Sequence, residues 1–302
     1  EVHADVLRDA GVPCFAWPAR TAEAVGVAVR CGQQLASGDG NGAGASGDRR
    51  APQRLPVAPR TPRRASAALL ADLGAVGMLS SGAARALLAE AGIPVIETVR
   101  CTNAETAVAA AERVGYPVVA KVDHIDLVHK SDVGGVRLGI DSAEALRAAA
   151  SELLGLARGA AVLVQHQHDG IEVLVGGLRD PEFGAVVMAG MGGVLVETLR
   201  DVQLAVAPVD EAHALGMLRS LRGAAVFDGV RGSAAVDLGA AADVVVQVSE
   251  LMADNPEIAE LDLNPVLATL DGCVAVDWRI STRAPGSAKL ASRSVSTGDM
   301  PP

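Results

Sequence analysis

The sequence VVAKVDHIDLVHKSDVGGVRLG, residues 118–139, joins a β-branched run to a strongly polar segment. Its apolar residues predict a buried strand over residues 118–122 and a second strand over residues 133–140. The whole chain has only three lysines, and two of them, Lys121 and Lys130, lie in this stretch. Because arginine supplies positive charge elsewhere in the chain, these two positions indicate a need for a compact ammonium group. The stretch therefore predicts a sheet strand that carries a charged functional group.

Composition excludes several classes of protein. Half of the 302 residues are hydrophobic, which allows one large core or two smaller ones. The net charge of −10 argues against a nucleic-acid-binding protein. The four cysteines form no C-x-x-C pair, so neither a zinc ribbon nor a disulfide framework is predicted, as expected of a cytoplasmic protein. No apolar run reaches the ~18 residues that a membrane-spanning helix needs.

Changes in composition divide the chain into four segments. Residues 35–66 are rich in glycine, proline and arginine and are predicted to form a flexible linker. Residues 1–34 have the pattern of the last elements of a preceding α/β domain, and the chain begins with Glu1, as expected of a piece of a longer protein. Residues 67–283 form the main predicted domain, and residues 284–302 are predicted to be a disordered tail.

Helix start and stop signals are clear in the first part of the main domain. Ser81 is predicted to cap a helix that stops at Gly92. Thr102-x-x-Glu105 is predicted to be the capping box of a helix that Gly115 closes. Strand and helix patterns thus alternate along this segment.

The later part of the domain continues the alternation and adds strands that follow one another directly. Helices are predicted at residues 142–156, 211–221 and 239–253, and strands at residues 161–166, 171–178, 184–189, 261–270 and 273–280. Asp271-Gly272 between the last two strands is a strong hairpin signal. Adjacent strands together with crossovers favour an α+β fold of two subdomains over one doubly wound sheet.

Lys121 has two possible partners. An amine in a buried strand is costly unless an anion meets it, and that anion could be a nucleotide phosphate or a carboxylate of the core. Two glycine-rich loops, Gly134-Gly135 and the GMGG at residues 190–193, favour the phosphate, since bare backbone can direct its N–H groups at phosphate oxygens. The three features together predict a nucleotide site.

A candidate metal site lies at the predicted C-terminal hairpin. Asp262 and Asn264 are two residues apart on one strand, so their side chains point to the same face. The hairpin folds Asp277 back opposite them. Carboxylate and amide oxygens suit Mg²⁺ that is shared between the protein and phosphates. The alternative is a polar edge strand with a structural Asn-Pro turn.

His129 is the candidate nucleophile. It lies in the polar loop just before a glycine pair, where an imidazole could attack phosphorus and carry the phosphoryl group for a moment. The alternative is an exposed loop histidine without a catalytic role. The pair His166 and His168 is interpreted as a polar strand end, because no third metal ligand lies nearby.

Several motifs occur in order and resemble one known family. They are GIPV at 92–95, GYPVVAKV at 115–122, HKSDVGGVRL at 129–138, EVLVG at 172–176, RDPEFG at 179–184, GMGG at 190–193, GVRG at 229–232, and ELDLNP with AVDWRI. Residues 67–283 resemble the ATP-grasp domain of the NDP-forming acyl-CoA synthetases, which include ADP-forming acetate–CoA ligase and are related to succinyl-CoA synthetase. Residues 1–34 resemble the end of the CoA-ligase-like domain that precedes ATP-grasp in single-chain members.

The resemblance implies specific roles. Lys121 would contact the phosphates of ATP or ADP, Glu172 would belong to the nucleotide pocket, and Asn264 and Asp277 would hold Mg²⁺. His129 would relay a phosphoryl group between ADP and a phosphohistidine of the CoA-ligase side. The remaining nucleotide-binding positions would be Gly190, Gly192, Gly193 and Arg231.

The implied reaction is acid + CoA + ATP to acyl-CoA + ADP + phosphate. The implied partner is a CoA-binding domain or subunit with its own phosphohistidine, and an oligomeric enzyme is expected. Two departures from the family affect nucleotide choice: the run from Asp123 to Asp126 replaces a more usual Ser-Pro-Asp, and QHQHDG replaces a more apolar segment. A sensing module of a protein acetyltransferase and a carboxylate–amine ligase are the alternative functions.

Overall fold

The computed structural model describes residues 77–124, 127, 130, 133–193, 201–229 and 234–283. Its strands are β1 Gly77–Met78, β2 Val99–Cys101, β3 Val118–Asp123, β4 Val136–Ile140, β5 Ala161–His166, β6 Ile171–Asp180, β7 Gly184–Met191, β8 Val202–Val206, β9 Ile258–Thr269, β10 Gly272–Ala275 and β11 Trp278–Thr282. Its helices are α1 Ser81–Glu90, α2 Ala104–Val114, α3 Ala143–Leu154, α4 Glu211–Arg219 and α5 Leu238–Asp254, with a 3-10 helix at Ala224–Asp228.

These elements form two sheets, each with its own hydrophobic core. Sheet A has seven strands in the order β1-β11-β9-β6-β7-β8, with β10 paired to β9, and its core includes residues of α1, α4 and α5. Sheet B has four strands in the order β2-β5-β3-β4 and packs against α2 and α3. Each strand pair is antiparallel. The predicted α+β fold of two subdomains is confirmed.

The helix termini differ from prediction by one or two residues. Ser80, not Ser81, caps α1, because the Ser80 side chain accepts a hydrogen bond from the Ala83 N–H, and the helix ends at Glu90. The capping box of α2 is formed by Asn103 and Thr106, one residue beyond the predicted Thr102 pair. Asn103 Oδ1 accepts a hydrogen bond from the Thr106 N–H at 2.8 Å, so Asn103 is the N-cap and the prediction of Thr102 is wrong.

Several strand predictions also need correction. The short strands β1, β2 and β8 were not predicted, and β4 begins at Val136 rather than at residue 133. The predicted final strand is two strands, β10 and β11, separated by Val276 and Asp277. The Asp271-Gly272 hairpin between β9 and β10 is confirmed. No helix among the described residues has the length and apolar character needed to cross a membrane.

Candidate functional site

One face of sheet B carries polar side chains that are turned away from its core. Val118, Ala120 and Val122 of β3 pack into the core of that sheet. Side chains alternate along a strand, so Lys121 and Asp123 lie on the opposite face. The register between β3 and β5 places Leu163 beside Lys121 on this same face. Sheet B therefore presents an ammonium and a carboxylate on the side away from its helices.

Sheet A presents oxygen ligands in the corresponding way. Leu263 and Trp278 are register partners and belong to the core of sheet A, so their neighbours Asn264 and Asp277 lie on the other face. The Asn264 N–H donates to the Asp277 carbonyl at 3.2 Å, which confirms that the two residues are opposite each other. Asp262 shares this face and lies 4.0 Å from the Arg279 guanidinium.

The two polar faces meet at the break between β10 and β11. Lys121 Nζ donates to the Val276 carbonyl at 2.8 Å, and Gln165 Nε2 donates to the same carbonyl at 3.1 Å. The second hydrogen bond of the Gln165 amide group goes to Thr98 Oγ1 at 3.0 Å. Val276 directly precedes Asp277, so the contact brings the candidate phosphate-binding lysine to the candidate metal ligand.

Lys121 is almost fully buried, with 6% of its surface exposed. Burial lowers the pKa of this ammonium from its ordinary value, and the positive charge of Lys130 lowers it further, while Asp277 raises it. The ammonium lies 4.0 Å from Asp277 Oδ2, farther away than the carbonyl it binds. Its closest hydrogen-bond acceptor is thus a neutral carbonyl, and an additional anion would stabilise its charge.

Asp277 is placed between cations. Lys130 Nζ lies 3.3 Å from Asp277 Oδ1, and the Trp278 N–H donates to the same oxygen at 3.0 Å. The neighbouring carboxyl of Asp262 has a raised pKa, caused first by burial, opposed by Arg279 and reinforced by Glu260 and Asp277. Asp277 thus lies beside both lysines, and its charge also acts on the neighbouring Asp262.

A second group of predicted residues gathers around Glu172. The Gly192 N–H donates to the Glu172 carbonyl at 2.7 Å, and a Cβ on Gly192 would lie 2.7 Å from the Glu172 carbonyl carbon. Gly193 has φ of +67°, and a Cβ there would meet the Glu172 carboxylate. Glycine is therefore required at Gly192 and Gly193, where the backbone after β7 packs closely against Glu172 of β6. Gly190 lies inside β7, where a Cβ would be 2.8 Å from Val202 Cγ1.

The first glycine pair closes the loop that follows β3. The Gly135 N–H donates to the Lys130 carbonyl at 2.6 Å, and a Cβ at Gly135 would lie 2.6 Å from Val122 Cγ1. His129 and Arg231 lie outside the described residues, so their predicted roles stay predictions. His166 Nδ1 is hydrogen-bonded to the Gly115 carbonyl at 2.8 Å, and its ring packs edge-on against that of His168.

The candidate metal donors, Asn264 and Asp277, would supply two oxygens rather than a complete set of ligands. Within the described part of the chain, no group of three His, Cys, Asp or Glu side chains is placed to hold a metal ion. Asn264 and Asp277 face each other across two paired strands, and oxygen donors of this kind fit Mg²⁺ that takes its other ligands from phosphates and water. The residues therefore suit a shared rather than an all-protein metal site.

Sequence reasoning missed the groups that join the two sheets. Gln165 is 2% exposed, and a buried polar side chain in an apolar strand is the one signal that could have singled it out. The Val276 carbonyl gives no sequence signal, since every residue has one. Ser81, predicted as a cap, instead donates its hydroxyl to Asp123 across the two subdomains.

Comparisons with known proteins identify the family of this fold. A family model described as an ATP-grasp domain matches residues 74–282. The β subunit of ADP-forming acetate–CoA ligase I from Pyrococcus furiosus is 40% identical over 205 residues, covering 65% of this chain and 88% of that subunit. ADP-forming acetate–CoA ligase I from Archaeoglobus fulgidus is 37% identical over 284 residues, covering 91% of this chain but only 39% of the relative.

Among solved structures, a similar one is dinucleotide-forming acetyl-coenzyme A synthetase 1 from Ca. Korarchaeum cryptofilum, in complex with coenzyme A and Ca-AMPCP. It is 38% identical, with a TM-score of 0.65, and the match covers 68% of this chain and 94% of that chain. The chain thus spans most of the separate β subunit but well under half of the single-chain ligase. By its family match and these relatives, the chain belongs to the ATP-grasp domain family, in the group found in ADP-forming acetate–CoA ligases.

Proposed function

We propose that this chain is the nucleotide-binding part of an ADP-forming acid–CoA ligase and that Mg-ATP or Mg-ADP binds between the polar faces of the two sheets. The observation that carries the proposal is the contact between Lys121 and the strand break at Val276, which places a buried ammonium 4.0 Å from the Asp277 carboxylate. A buried cation beside an oxygen-ligand pair suits a ligand that brings both phosphate and a divalent ion.

Each residue of the cleft has a role in this proposal. Lys121 and Lys130 neutralise phosphate charge, and Lys121 is already desolvated, so it loses little hydration when the ligand arrives. Asn264 and Asp277 would hold Mg²⁺, which when bound neutralises phosphate charge and fixes the phosphate geometry. The loop at Gly192 and Gly193 lies against Glu172, where both would contact the nucleotide.

His129 would perform the covalent step. An imidazole nitrogen of His129 attacks the γ-phosphorus of ATP, an N–P bond forms, and the bridging P–O bond breaks so that ADP leaves with the electron pair. The phosphoryl group then passes to a histidine of the CoA-ligase partner, and the His129 imidazole is regenerated. In support of this role, Lys130, the residue that follows His129, donates to Asp277 Oδ1 at 3.3 Å, and the Gly135 N–H donates to the Lys130 carbonyl.

The acyl chemistry requires a second component. Several relatives are named as ADP-forming CoA ligases for different acids, including acetate and 4-hydroxybutyrate. We propose that a CoA-binding domain or subunit supplies the acid and CoA sites, so that the chain alone does not complete acid + CoA + ATP to acyl-CoA + ADP + phosphate. No observation in the described residues favours the sensing module or the carboxylate–amine ligase.

The relay is tested by supplying a CoA-ligase partner, or the full-length protein, and measuring ATP formation from acyl-CoA, ADP and phosphate. We expect His129→Ala to abolish turnover while Mg-ADP still binds, because its neighbours Lys130 and Ser131 cannot carry the phosphoryl group reversibly. His124→Ala is the matched control, since it removes another imidazole from the same segment, and it should keep turnover. Equal turnover in His129→Ala and wild type would refute the relay.

A further inference from the structure

A chain of polar contacts joins the two subdomains beside the candidate site. Ser81 Oγ donates to Asp123 Oδ1 at 2.7 Å, and Arg100 Nε donates to Asp123 Oδ2 at 2.8 Å. Ser81 begins α1, whose Leu87 and Leu88 belong to the core of sheet A, whereas Asp123 is the last residue of β3 in sheet B. The Ser81–Asp123 hydrogen bond therefore connects the two subdomains directly.

The same serine also contacts the strand that carries the metal ligand. The Trp278 indole Nε1–H donates to the Ser81 carbonyl at 3.0 Å, and Trp278 is buried, with 9% of its surface exposed. The Trp278 backbone N–H in turn donates to Asp277 Oδ1 at 3.0 Å. A continuous path of hydrogen bonds thus runs from Asp123 through Ser81 and Trp278 to the Asp277 carboxylate.

The Ser81 hydroxyl is not needed by its own helix. The preceding residue, Ser80, caps α1 by accepting a hydrogen bond from the Ala83 N–H at 3.2 Å. The contact with Asp123 is thus the role left for the Ser81 side chain. A hydroxyl that donates to a carboxylate makes a charge-assisted bond, and the Asp123 side chain is only 18% exposed, which limits screening by water.

Strand β3 consequently contacts the sheet A subdomain at two points. Lys121 and Asp123 are two residues apart on one face; the first donates to the Val276 carbonyl and the second accepts from Ser81. The first contact is made to Val276, the residue before Asp277, and the second reaches Trp278, the residue after Asp277, through the Ser81 carbonyl. Two fixed points on one strand define both the distance and the orientation of that carboxylate relative to the Lys121 ammonium.

We infer that Ser81 and Asp123 are a positioning pair for Mg-nucleotide binding: they hold Trp278, and through it Asp277, in register with Lys121. Neither residue contacts the nucleotide in this scheme. The inference rests on the proposed function, because it concerns how Asp277 meets a nucleotide-bound ion. It adds two residues to the site that were assigned no binding role from the sequence.

The test compares Ser81→Ala with Ser81→Thr, which keeps the hydroxyl, and with Ser80→Ala, which removes the neighbouring hydroxyl that caps the helix. Calorimetric titration of the whole chain with ADP is carried out with and without Mg²⁺. We expect Ser81→Ala to weaken Mg-ADP binding about fivefold, the effect of losing one orienting charge-assisted contact, and to change Mg-free ADP binding less than about twofold. Ser81→Thr should restore wild-type affinity, and Ser80→Ala should lower the unfolding midpoint without altering either affinity.

Two further measurements, on Asp123 variants and on the emission of Trp278, make the test specific. Asp123→Ala should weaken Mg-ADP binding by a similar factor. The Ser81→Ala/Asp123→Ala double variant should bind Mg-ADP no more weakly than Asp123→Ala, because the two substitutions break the same hydrogen bond. In a Trp17→Phe background Trp278 is the only tryptophan, so its emission should change on Mg-ADP binding and change less in Ser81→Ala.

The outcomes separate the inference from the proposed function. If wild type binds Mg-ADP and Ser81→Ala binds it equally well, the positioning role is refuted while the nucleotide site stands. Equal weakening of Mg-ADP and Mg-free ADP in Ser81→Ala would also refute it, since that result indicates a general loosening of the cleft. If the folded wild type binds no nucleotide, the proposed function itself is wrong, and the pair has nothing to position.

Discussion

The two sheets contribute opposite kinds of group to the cleft, and they differ in how those groups are exposed. Sheet B contributes Lys121, which is buried and held by a carbonyl. Sheet A contributes Asn264, which is exposed, and Asp277, which is partly buried. The cation is thus fixed and desolvated before a ligand arrives, whereas the oxygen ligands stay accessible. Under the proposed function, phosphate would therefore meet a preformed positive site, and Mg²⁺ would bind at the more exposed side.

The largest effect is expected from removing the buried cation. Lys121→Met should weaken ADP binding by about 2 kcal/mol, roughly thirtyfold, because a charge-assisted phosphate contact is lost. The loss should appear with and without Mg²⁺ in calorimetric titrations, since the lysine would contact phosphate directly. Arg147→Gln, on the outer helix of sheet B, is the control and should bind ADP normally. A loss confined to Mg-ADP would show that Lys121 acts through the metal side instead.

The same variant tests the cost of burying the ammonium. Burial lowers the folded-state pKa of Lys121 below its ordinary value of 10.5, so between these two values the unfolded chain binds more protons. The stability contribution of this group therefore rises as pH rises through that window, and below the window the buried charge lowers the stability of the fold. Lys121→Met should leave the ligand-free protein at least as stable as wild type in chemical denaturation at pH 7. A clear loss of stability would show that the ammonium is structural.

In sheet A, a substitution at Gly190 distinguishes a packing role of this glycine from a direct role in nucleotide binding. A Cβ at this position would lie 2.8 Å from Val202 Cγ1 and 2.9 Å from the Asp201 carbonyl, so Gly190→Ala should destabilise the fold by ~1.5 kcal/mol. Gly216→Ala in α4, where a Cβ meets nothing within 4 Å, is the matched control and should be slightly stabilising. Denaturant unfolding measures both variants. A stable Gly190→Ala protein with lost nucleotide affinity would favour a direct binding role.

A smaller and more selective effect is expected at Asp277, the proposed metal ligand. Asp277→Asn should weaken Mg-ADP binding by about 1 kcal/mol and should leave Mg-free ADP binding unchanged or slightly stronger, because one negative charge beside the phosphates is gone. The variant should remain folded, since the carboxylate lies outside the core. Titrating Mg²⁺ at fixed ADP shows the raised metal requirement. Normal Mg²⁺ dependence would remove Asp277 from the metal site.

The sequence predicts the elements around the site better than it predicts the contacts between the sheets. The strand Ala161–His166 and the Asp271-Gly272 hairpin follow from apolar runs and turn chemistry, and both are present. Strand β8 escaped prediction because it is a short edge strand containing Gln203. The break at Val276 could not be foreseen, because it depends on a carbonyl that accepts hydrogen bonds from the other sheet.

The smallest effect concerns an ion pair far from the cleft. Arg147 hydrogen-bonds to Glu105 on the outer helices of sheet B, and this contact holds the pKa of the Glu105 carboxyl below its ordinary value. Because the folded-state pKa is depressed, the pair stabilises the protein above the ordinary pKa of glutamate and loses that contribution as pH falls. Arg147→Gln should return the Glu105 pKa toward its ordinary value in an NMR titration. An unchanged pKa would show that the pair does not form in solution.

In the proposed function, the phosphates of the nucleotide meet the preformed cation of Lys121 between the two sheets. Phosphorus NMR of ADP in the presence of Mg²⁺ and the folded chain tests it most directly, because it reports on the phosphates rather than on the base. We predict that saturating protein shifts and broadens both phosphorus signals, and that Lys121→Met at the same concentration shifts them much less. Phosphorus signals that stay at their free positions with the wild-type protein would contradict the account.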